Sequence, residues 1–294
     1  EHVRGEIINK YGSDALYKEG LTVITSLNPQ YQTWADSALR EGLRRYDMSR
    51  GYRGPIGRIK LDEWATEVQK IHNPEGLLEY EIAVLLNIKE KDHLSIGLKD
   101  GSKAKIPHAE YSWAVGAKKP IAKSLQGGDI IIVEKLPTGS YALRQIPKIN
   151  GAIVAIKPST GQILEMSGGY DFSSSKFNRV TQALRQPGSA IKPFVYLAGL
   201  ENNIEPNTIF SDGPLEVYLG PGLPLWRPKN YGEDYLGNIT MRKGFELSRN
   251  LVTIRVAQRV GIKKVIEIIK RLGINDNPAN MYSSVLGALE TTPL

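Results

Sequence analysis

The chain has 294 residues, a net charge of +7 and no cysteine. Its length suits about two domains, and an apolar content of 41% is ordinary for a chain that buries packed cores. The absence of cysteine excludes disulfides, zinc–thiolate sites and a cysteine nucleophile. The positive charge suits an anionic partner, such as a nucleic acid, a membrane surface or an anionic polymer, without choosing among them.

The first part of the chain has the pattern of a linker followed by a helix. Residues 1–11 favour a short helix or tether, and residues 21–25 alternate as a strand does. Asn28 and Pro29 combine an N-cap residue with proline at the first helical position, which predicts a helix to about Tyr46. The face of this helix that is expected to pack inward carries Trp34, Ala35, Ala38, Leu39, Gly42 and Leu43.

Residues 77–143 change in character to short strands separated by turns. The pair Asp100 and Gly101 is a strong hairpin signal. Strand-like segments recur at 80–88, 94–98, 104–106, 130–133 and 141–143. Several short strands at this spacing predict a small all-β barrel of the OB type.

Barrels of the OB type often bind single-stranded nucleic acid through stacked aromatic side chains in a basic groove. Aromatic side chains are few in this segment and include Tyr80, Tyr111 and Trp113. Three lysines flank a proline, namely Lys118, Lys119 and Lys123. The composition therefore favours a barrel that contacts protein or acts as a spacer, and no nucleic-acid partner is expected.

The rest of the chain begins with a hairpin and continues with helices. Residues 151–156 and 162–166 are two strands around a turn, and the first is apolar enough to be buried on both faces of a larger sheet. Thr240 is placed to cap the first helix, and Gly261 and Gly273 follow the ends of the other two. The helices are predicted at about 240–247, 249–260 and 262–272. A hairpin followed by helices predicts an α+β domain.

A serine and a lysine three positions apart, Ser189 and Lys192, lie between a Pro-Gly break and an apolar run. Because Pro193 lacks an N–H and is tolerated only in a first turn, we expect a helix to begin near Ser189. Residues i and i+3 share one face of a helix, so the hydroxyl and the amine can meet there. A lysine whose pKa is lowered by burial or by nearby positive charge can activate a serine nucleophile.

The Ser-x-x-Lys spacing occurs twice more, and chance alone produces so short a pattern. Ser102 and Lys105 lie at a predicted hairpin tip with charged flanks, and Ser173 and Lys176 fall in a run of three serines typical of a loop. Only the copy at Ser189 stands between a loop and a helix.

A second polar pair, Ser248 and Asn250, lies between two predicted helices. A hydroxyl at this junction can relay a proton to a leaving amine, and an amide can hold a substrate carbonyl. The alternative is local capping of the following helix, which serine and asparagine do routinely. Considered alone, the pattern favours capping.

Together these motifs resemble the transpeptidase domain of class A penicillin-binding proteins, in particular those of the 1a group. Ser-x-x-Lys and a Ser-x-Asn type of motif belong to the signature of that family. Similar stretches occur in the family's order at 151–156, 168–172, 177–179, 185–196, 226–231, 239–242, 248–250 and 286–294. Residues 20–29 are similar to the family's linker, and the barrel corresponds by position to the OB-like insert of the 1a group.

The resemblance implies an acyl-serine mechanism on peptidoglycan stem peptides that end in D-Ala-D-Ala. Ser189 would be the nucleophile, Lys192 its base, Ser248 the proton relay to the departing D-Ala, and Asn250 the group that holds the donor amide. β-Lactams would acylate the same serine, and no cofactor or metal is implied. The substrate site is also expected to include Trp226 and Tyr231.

The resemblance is incomplete in two places. No Lys-Thr-Gly motif follows Ser248, so we expect the strand that binds the stem carboxylate to be missing and the chain by itself to be weakly active or inactive. Residues 233–237 lack the Phe of the family's Glu-Asp-x-x-Phe motif, so glycan polymerisation is expected only of a longer parent protein. The chain is therefore interpreted as a linker after a missing glycosyltransferase domain at 1–60, an OB-like barrel at 61–146 and a partial transpeptidase domain at 147–294.

The implied setting is the periplasmic side of a bacterial inner membrane, with attachment through a missing N-terminal segment. The implied partners are peptidoglycan stem peptides and glycan strands, β-lactam antibiotics, and an envelope protein at the barrel. Two alternatives stay open: a D,D-carboxypeptidase or β-lactamase with the same serine chemistry, and a non-catalytic envelope scaffold. The rate of deacylation separates the β-lactamase from a penicillin-binding protein, which holds its acyl group.

Overall fold

The computed structural model describes residues 1–89, 92–114, 125–218, 220–222 and 224–294. Two compact units make up the chain: residues 1–181 together with Leu294, and residues 182–293. The three lysines at 118, 119 and 123 lie outside the described residues. Within the described part, none of the helices combines the length and the apolar character that a membrane span requires.

Two helices open the first unit: α1 spans His2–Lys18 and α2 spans Pro29–Ser49. The Asn28 side chain accepts hydrogen bonds from the N–H groups of Gln30 and Tyr31, so the predicted N-cap is confirmed. The inward face of α2 buries Ala35, Leu39 and Leu43.

Two expectations for this region are wrong. Residues 21–25 form no strand, because no strand of the described part pairs with them, and Ile24 is 92% exposed. Of the residues predicted to pack inward, Trp34, Ala38 and Gly42 do not. All three are exposed, and the ring of Trp34 stacks on the ring of Tyr31.

An antiparallel sheet follows, as the predicted barrel requires. Its strands are β1 (Gly57–Arg58), β2 (Glu81–Lys89), β3 (His93–Leu98), β4 (Lys103–Pro107), β5 (Asp129–Lys135) and β6 (Tyr141–Arg144). One short helix, α3 (Trp64–Glu67), lies between β1 and β2 in the chain. The strand order is β1-β5-β2-β3-β4, with β6 also paired to β5. Among the described residues no ladder of hydrogen bonds closes the sheet into a complete barrel. The strands predicted in this region are confirmed.

The predicted hairpin is formed by β7 (Ile153–Ile156) and β8 (Ile163–Ser167), and it packs on α2 within the first unit. The expectation that its first strand is buried on both faces is wrong. In the described part β7 pairs with β8 alone, so its side chains are half-buried or exposed.

The second unit begins with a 3-10 turn at Gly188–Ile191 and continues with helices and one pair of short strands. These elements are α4 (Lys192–Glu201), β9 (Ile209–Asp212), β10 (Gly237–Thr240), α5 (Met241–Glu246), α6 (Asn250–Val260) and α7 (Ile262–Arg271). Thr240 Oγ1 accepts from the Lys243 N–H, and Gly261 and Gly273 have positive φ, so the predicted caps and ends are confirmed. The pair β9 and β10 was not indicated by the sequence.

Helix α6 lies at the centre of the second unit, against α4, α5, α7 and β9. A Cβ atom at Gly244 would lie 2.4 Å from Val252 Cγ1, so only glycine lets α5 approach α6 this closely. The buried apolar core around α6 includes Val195, Met241, Val252, Ile254, Val256, Ile269 and Val285. This core fixes the ends of α4, α5 and α6, near which Lys192, Ser248 and Asn250 lie. The predicted α+β class, with a separate all-β part, is confirmed.

Candidate active site

Ser189 lies in the 3-10 turn that passes directly into α4. Pro193 occupies the first turn of α4, where its missing N–H has no intrahelical partner to lose. The Ser189 side chain is exposed, and in the described part of the chain its hydroxyl makes no hydrogen bond. The predicted start of the helix is confirmed, and the hydroxyl is free to meet a substrate.

The turn is braced from one side by the segment that follows Ser284–Leu286. A Cβ atom at Gly287, whose φ is +84°, would lie 2.1 Å from the carbonyl oxygen of Gly188. Arg185 and Thr291 exchange two backbone hydrogen bonds of 2.9 and 3.0 Å beside this contact. The backbone before Ser189 is therefore held by a close approach that only glycine permits.

Lys192 is the residue at which the two sequence motifs meet. Its side chain is 2% exposed, and Nζ donates to Ser248 O at 2.6 Å, Ser248 Oγ at 3.0 Å and Asn250 Oδ1 at 2.6 Å. An ammonium group has three N–H donors, and these three acceptors use all of them. Burial lowers the pKa of Lys192 to about 8.

The direct contact between Ser189 and Lys192 that the spacing allows is not made. In the described part of the chain no hydrogen bond joins Ser189 Oγ to Lys192 Nζ. The three N–H donors of the ammonium go to Ser248 and Asn250 instead. Catalytic hydrogen bonds are often long without substrate and tighten only in the reacting complex.

Ser248 has a left-handed backbone conformation with φ +51°. Its N–H bonds the carbonyl of Phe245 at 2.9 Å, and the next N–H, of Arg249, bonds the carbonyl of Gly244 at 2.8 Å. These two bonds form a Schellman motif at the end of α5, and Ser248 takes the position that glycine usually occupies. The motif aims both oxygens of Ser248 at Lys192.

Asn250 is the first residue of α6 and links the lysine to a neighbouring loop. Its Oδ1 accepts from Lys192, and its Nδ2 donates to the carbonyl of Lys229 at 2.9 Å. The N-cap residue of α6 is Arg249, whose side chain makes no capping hydrogen bond, and within the described residues the side chain of neither Ser248 nor Asn250 accepts a hydrogen bond from an N–H of this helix. The capping interpretation of Ser248 and Asn250 is therefore wrong.

Sequence reasoning missed a buried polar network beneath these residues. Arg249 Nε and Nη2 lie 2.8 and 2.7 Å from Asp212 Oδ2, and Asn230 Nδ2 donates to Asp212 Oδ1 at 2.8 Å. Burial alone would raise the pKa of Asp212, but the hydrogen bonds from Arg249, Asn230 and the Leu236 N–H lower it below its usual value. The one signal in the sequence was an arginine between Ser248 and Asn250.

The two aromatic residues predicted to bind substrate are placed differently from each other. Trp226 pairs through its backbone with Val217 at 2.9 and 3.0 Å, and its half-buried ring packs on the core of the second unit. Tyr231 is fully exposed, two residues after Lys229, whose carbonyl Asn250 holds. Among the described residues, neither side chain makes a hydrogen bond with Ser189, Lys192, Ser248 or Asn250.

Comparison with known proteins identifies two family models. The penicillin binding protein transpeptidase domain matches residues 151–287, and the penicillin-binding protein OB-like domain matches residues 52–149.

Individual proteins extend these matches over nearly the whole chain. Penicillin-binding protein 1A of Rickettsia prowazekii is 54% identical over 99% of this chain and 37% of that protein. The protein of the same name from Pseudomonas aeruginosa is 34% identical over all of this chain and 37% of that one. The crystal structure of penicillin-binding protein 1A from Haemophilus influenzae has a TM-score of 0.82 and 31% identity, over 99% of this chain and 43% of that chain. The chain thus spans well under half the length of these relatives.

Proposed function

The chain belongs to the penicillin-binding proteins and carries their transpeptidase and OB-like domains, and from this premise we propose that it is the serine D-Ala-D-Ala transpeptidase region of a class A member. One observation carries the proposal: the buried Lys192 Nζ is held by both oxygens of Ser248 and by Asn250, and Ser189, three residues before this lysine, is exposed. Two motifs that are more than fifty residues apart in the sequence thus converge on one amine.

Acylation would begin with attack of Ser189 Oγ on the carbonyl carbon of the penultimate D-Ala. The hydroxyl proton passes to the neutral amine of Lys192 as the new C–O bond forms. The C–N bond to the terminal D-Ala then breaks, and Ser248 Oγ gives a proton to the departing amine and recovers one from Lys192. Asn250 would hold an amide group of the donor stem peptide.

Transfer of the acyl group to a second stem peptide would complete the cycle, with Ser248 and Lys192 moving the protons in the reverse direction. The amine of a second stem peptide attacks the acyl-serine, its proton leaves through Ser248 and Lys192, and Ser189 regains its hydrogen. The Ser189 N–H lies in the first turn, where backbone N–H groups have no intrahelical acceptor, and would be one donor to the oxyanion.

The lysine's environment suits a base at neutral pH. With a pKa of about 8, roughly one Lys192 in ten is neutral at pH 7. A positioned general base typically contributes about 10²- to 10⁴-fold to a rate. The neutral amine keeps two donors for Ser248 and Asn250 and gains a lone pair for the Ser189 proton.

The wider setting is also part of the proposal. The substrates would be peptidoglycan stem peptides on glycan strands at the periplasmic side of a bacterial inner membrane. β-Lactams would acylate Ser189, the OB-like sheet would contact an envelope protein, and glycan polymerisation would belong to another part of a longer protein. The proposed linker, barrel and transpeptidase regions are 1–60, 61–146 and 147–294.

The test uses the full-length protein, a donor stem peptide that ends in D-Ala-D-Ala, and an acceptor amine. We expect release of D-Ala together with a cross-linked product, and neither from Ser189→Ala. Release of D-Ala with hydrolysed donor alone would identify a carboxypeptidase. Rapid turnover of a β-lactam would identify a β-lactamase, and peptide binding without any acyl-enzyme would identify a scaffold.

A further inference from the structure

Ser248 is held in a backbone conformation that serine seldom adopts. Its φ of +51° lies in the left-handed region, at a helix end where glycine is the usual residue. Such conformations persist when surrounding contacts over-determine them, and they cluster at functional sites. The contacts that hold Ser248 from its C-terminal side begin at the neighbouring Arg249.

Arg249 is anchored at every nitrogen of its guanidinium group. Nε and Nη2 lie 2.8 and 2.7 Å from Asp212 Oδ2, Nη1 lies 3.0 Å from Asp234 Oδ1, and Nη2 donates to Asp234 O at 2.6 Å. A planar fork satisfied on all sides has one orientation. Since Arg249 stands between Ser248 and Asn250, its anchorage fixes the backbone that carries both.

Asp212 accepts hydrogen bonds from Arg249 and also from the loop that contacts Asn250. Its carboxylate has no exposed surface and accepts from Arg249, from Asn230 Nδ2 at 2.8 Å and from the Leu236 N–H at 3.0 Å. Asn230 follows Lys229, whose carbonyl accepts from Asn250, and Asn230 Oδ1 accepts from the Leu251 N–H at 3.3 Å. The Asp212 carboxylate therefore connects the segment that contains Arg249 with the loop that contains Asn230, and both contact Asn250.

A buried ion pair is weak evidence of stabilisation, because desolvation offsets most of the attraction and apolar side chains of the same shape often do as well. What the pair supplies is a defined geometry, since the planar guanidinium group is fixed by the positions of its acceptors. The geometry it defines here belongs to Ser248 and Asn250, the residues that supply the three acceptors of Lys192.

We propose that Asp212 is a positioning residue for acyl transfer, which acts through Arg249 and Asn230 to hold Ser248 and Asn250 around Lys192 Nζ. The inference rests on the proposed function, and Asp212 itself touches no reacting atom. Its loss should slow the chemical step at each site without weakening the first, non-covalent encounter with a β-lactam.

The test is Asp212→Asn in the full-length protein, a substitution of the same shape that removes the charge. The fraction of sites that a penicillin can label, the dissociation constant of the non-covalent complex and the acylation rate constant per labelled site are measured separately. We expect the rate constant to fall about 10- to 100-fold, the range for a misplaced reacting group, with the dissociation constant unchanged. Damage that is merely structural lowers the labelled fraction and leaves the rate constant of the remaining sites as it was.

The chain supplies a matched control in the first unit. Asp47 is 3% exposed and accepts from Arg53 Nη1 at 2.6 Å, Gln145 Nε2 at 2.8 Å and the Lys148 N–H at 3.1 Å. It thus has the same kinds of partner as Asp212. Asp47→Asn should lower the melting temperature and leave the acylation rate constant per site unchanged.

A double-mutant cycle tests the route of action. Because Asp212 acts partly through Ser248, the loss in Asp212→Asn with Ser248→Ala should be smaller than the product of the two separate losses. If Asp212→Asn does not fold, Arg249→Lys keeps the charge but loses the planar fork, and its rate constant should fall about 3- to 10-fold.

Two results would overturn the inference alone. One is an unchanged rate constant per labelled site in the folded Asp212→Asn variant. The other is a loss in the double variant that equals the product of the losses in Asp212→Asn and Ser248→Ala. A wild-type protein that is never acylated at Ser189 would overturn the proposed function, and this inference with it.

Discussion

The chain contains the Ser-x-x-Lys spacing at Ser189 and again at Ser102, and the two regions differ in everything but the spacing. At the hairpin tip, Ser102 donates from its hydroxyl and its N–H to Asp100 Oδ1 at 2.6 and 2.8 Å, and Lys105 is exposed. At the start of α4 the serine hydroxyl is free of partners in the described part of the chain, and Lys192 is 2% exposed. The third copy resembles the hairpin tip, since Ser173 donates to Asp171 and Lys176 is exposed.

The surroundings of the lysine, and not the Ser-x-x-Lys spacing, decide whether its amine can act as a base. Burial removes water from Lys192 and lowers its pKa to about 8, and Ser248 and Asn250 fix its position. Lys105 is exposed on a strand and has no such surroundings.

Removal of the amine should have the largest effect. Lys192→Met fills a similar volume without a base, so we expect acylation by a β-lactam to slow by about 10³-fold. Stopped-flow or gel-based measurement of penicillin labelling gives the rate. Lys105→Met is the matched control and should label at the wild-type rate; an equal loss in the two variants would remove the distinction between the regions.

Ser248→Gly should separate stability from activity. Glycine adopts a φ of +51° without the strain of a Cβ atom, so unfolding should cost about 0.5–1 kcal/mol more. The loss of Oγ removes the proton relay, and acylation should slow by about 10- to 100-fold, toward the low end of general-acid effects. Denaturant melts and labelling rates are measured on the same sample, and a variant that labels at the wild-type rate would show that Ser248 is no relay.

Asn250→Asp should move the pH dependence of acylation. In the wild type the rate should rise with pH and level off above about 8, because Lys192 must lose its proton to act as the base. A carboxylate at the Asn250 position, where Oδ1 lies 2.6 Å from Nζ, favours the charged lysine and raises its pKa by about one unit or more. Labelling at pH 7 should then fall about tenfold and recover at high pH. A profile with an unmoved midpoint would contradict the role of Lys192 as the base.

The aromatic residues should show the smallest effects on acylation. Trp226→Ala removes a half-buried ring from the core and should destabilise the protein by about 2 kcal/mol. Tyr231→Ala should change stability by less than about 0.5 kcal/mol, because the ring is fully exposed. If Tyr231 binds the donor, its loss should raise the donor KM several-fold with the acylation rate unchanged. An equal loss of stability in both variants would contradict the packing described here.

Local signals in the sequence predicted local structure well. Asn28 and Pro29 start α2, Thr240 caps α5, and Gly273 follows α7, because each signal acts on backbone groups within one turn. Ser189 likewise precedes α4 as expected from Pro193. These are features that a few neighbouring residues decide.

Features that depend on distant partners could not be predicted in this way. Residues 21–25 have the alternation of a strand but meet no strand in the described part, and β7 lacks the neighbours that would bury it. The pairing of Asp212 with Arg249 crosses 37 positions, and no periodicity indicates it. The roles of Ser189, Lys192, Ser248, Asn250, Trp226 and Tyr231 stay predictions.

The most direct test of the central claim is to identify the serine that a β-lactam acylates. The full-length protein is incubated with penicillin, its intact mass is measured, and the adduct is located by peptide mapping. We expect one stable adduct on Ser189, absent in Ser189→Ala and unchanged in Ser102→Ala and Ser173→Ala. An adduct on Ser102 or Ser173, or one that survives in Ser189→Ala, would contradict it.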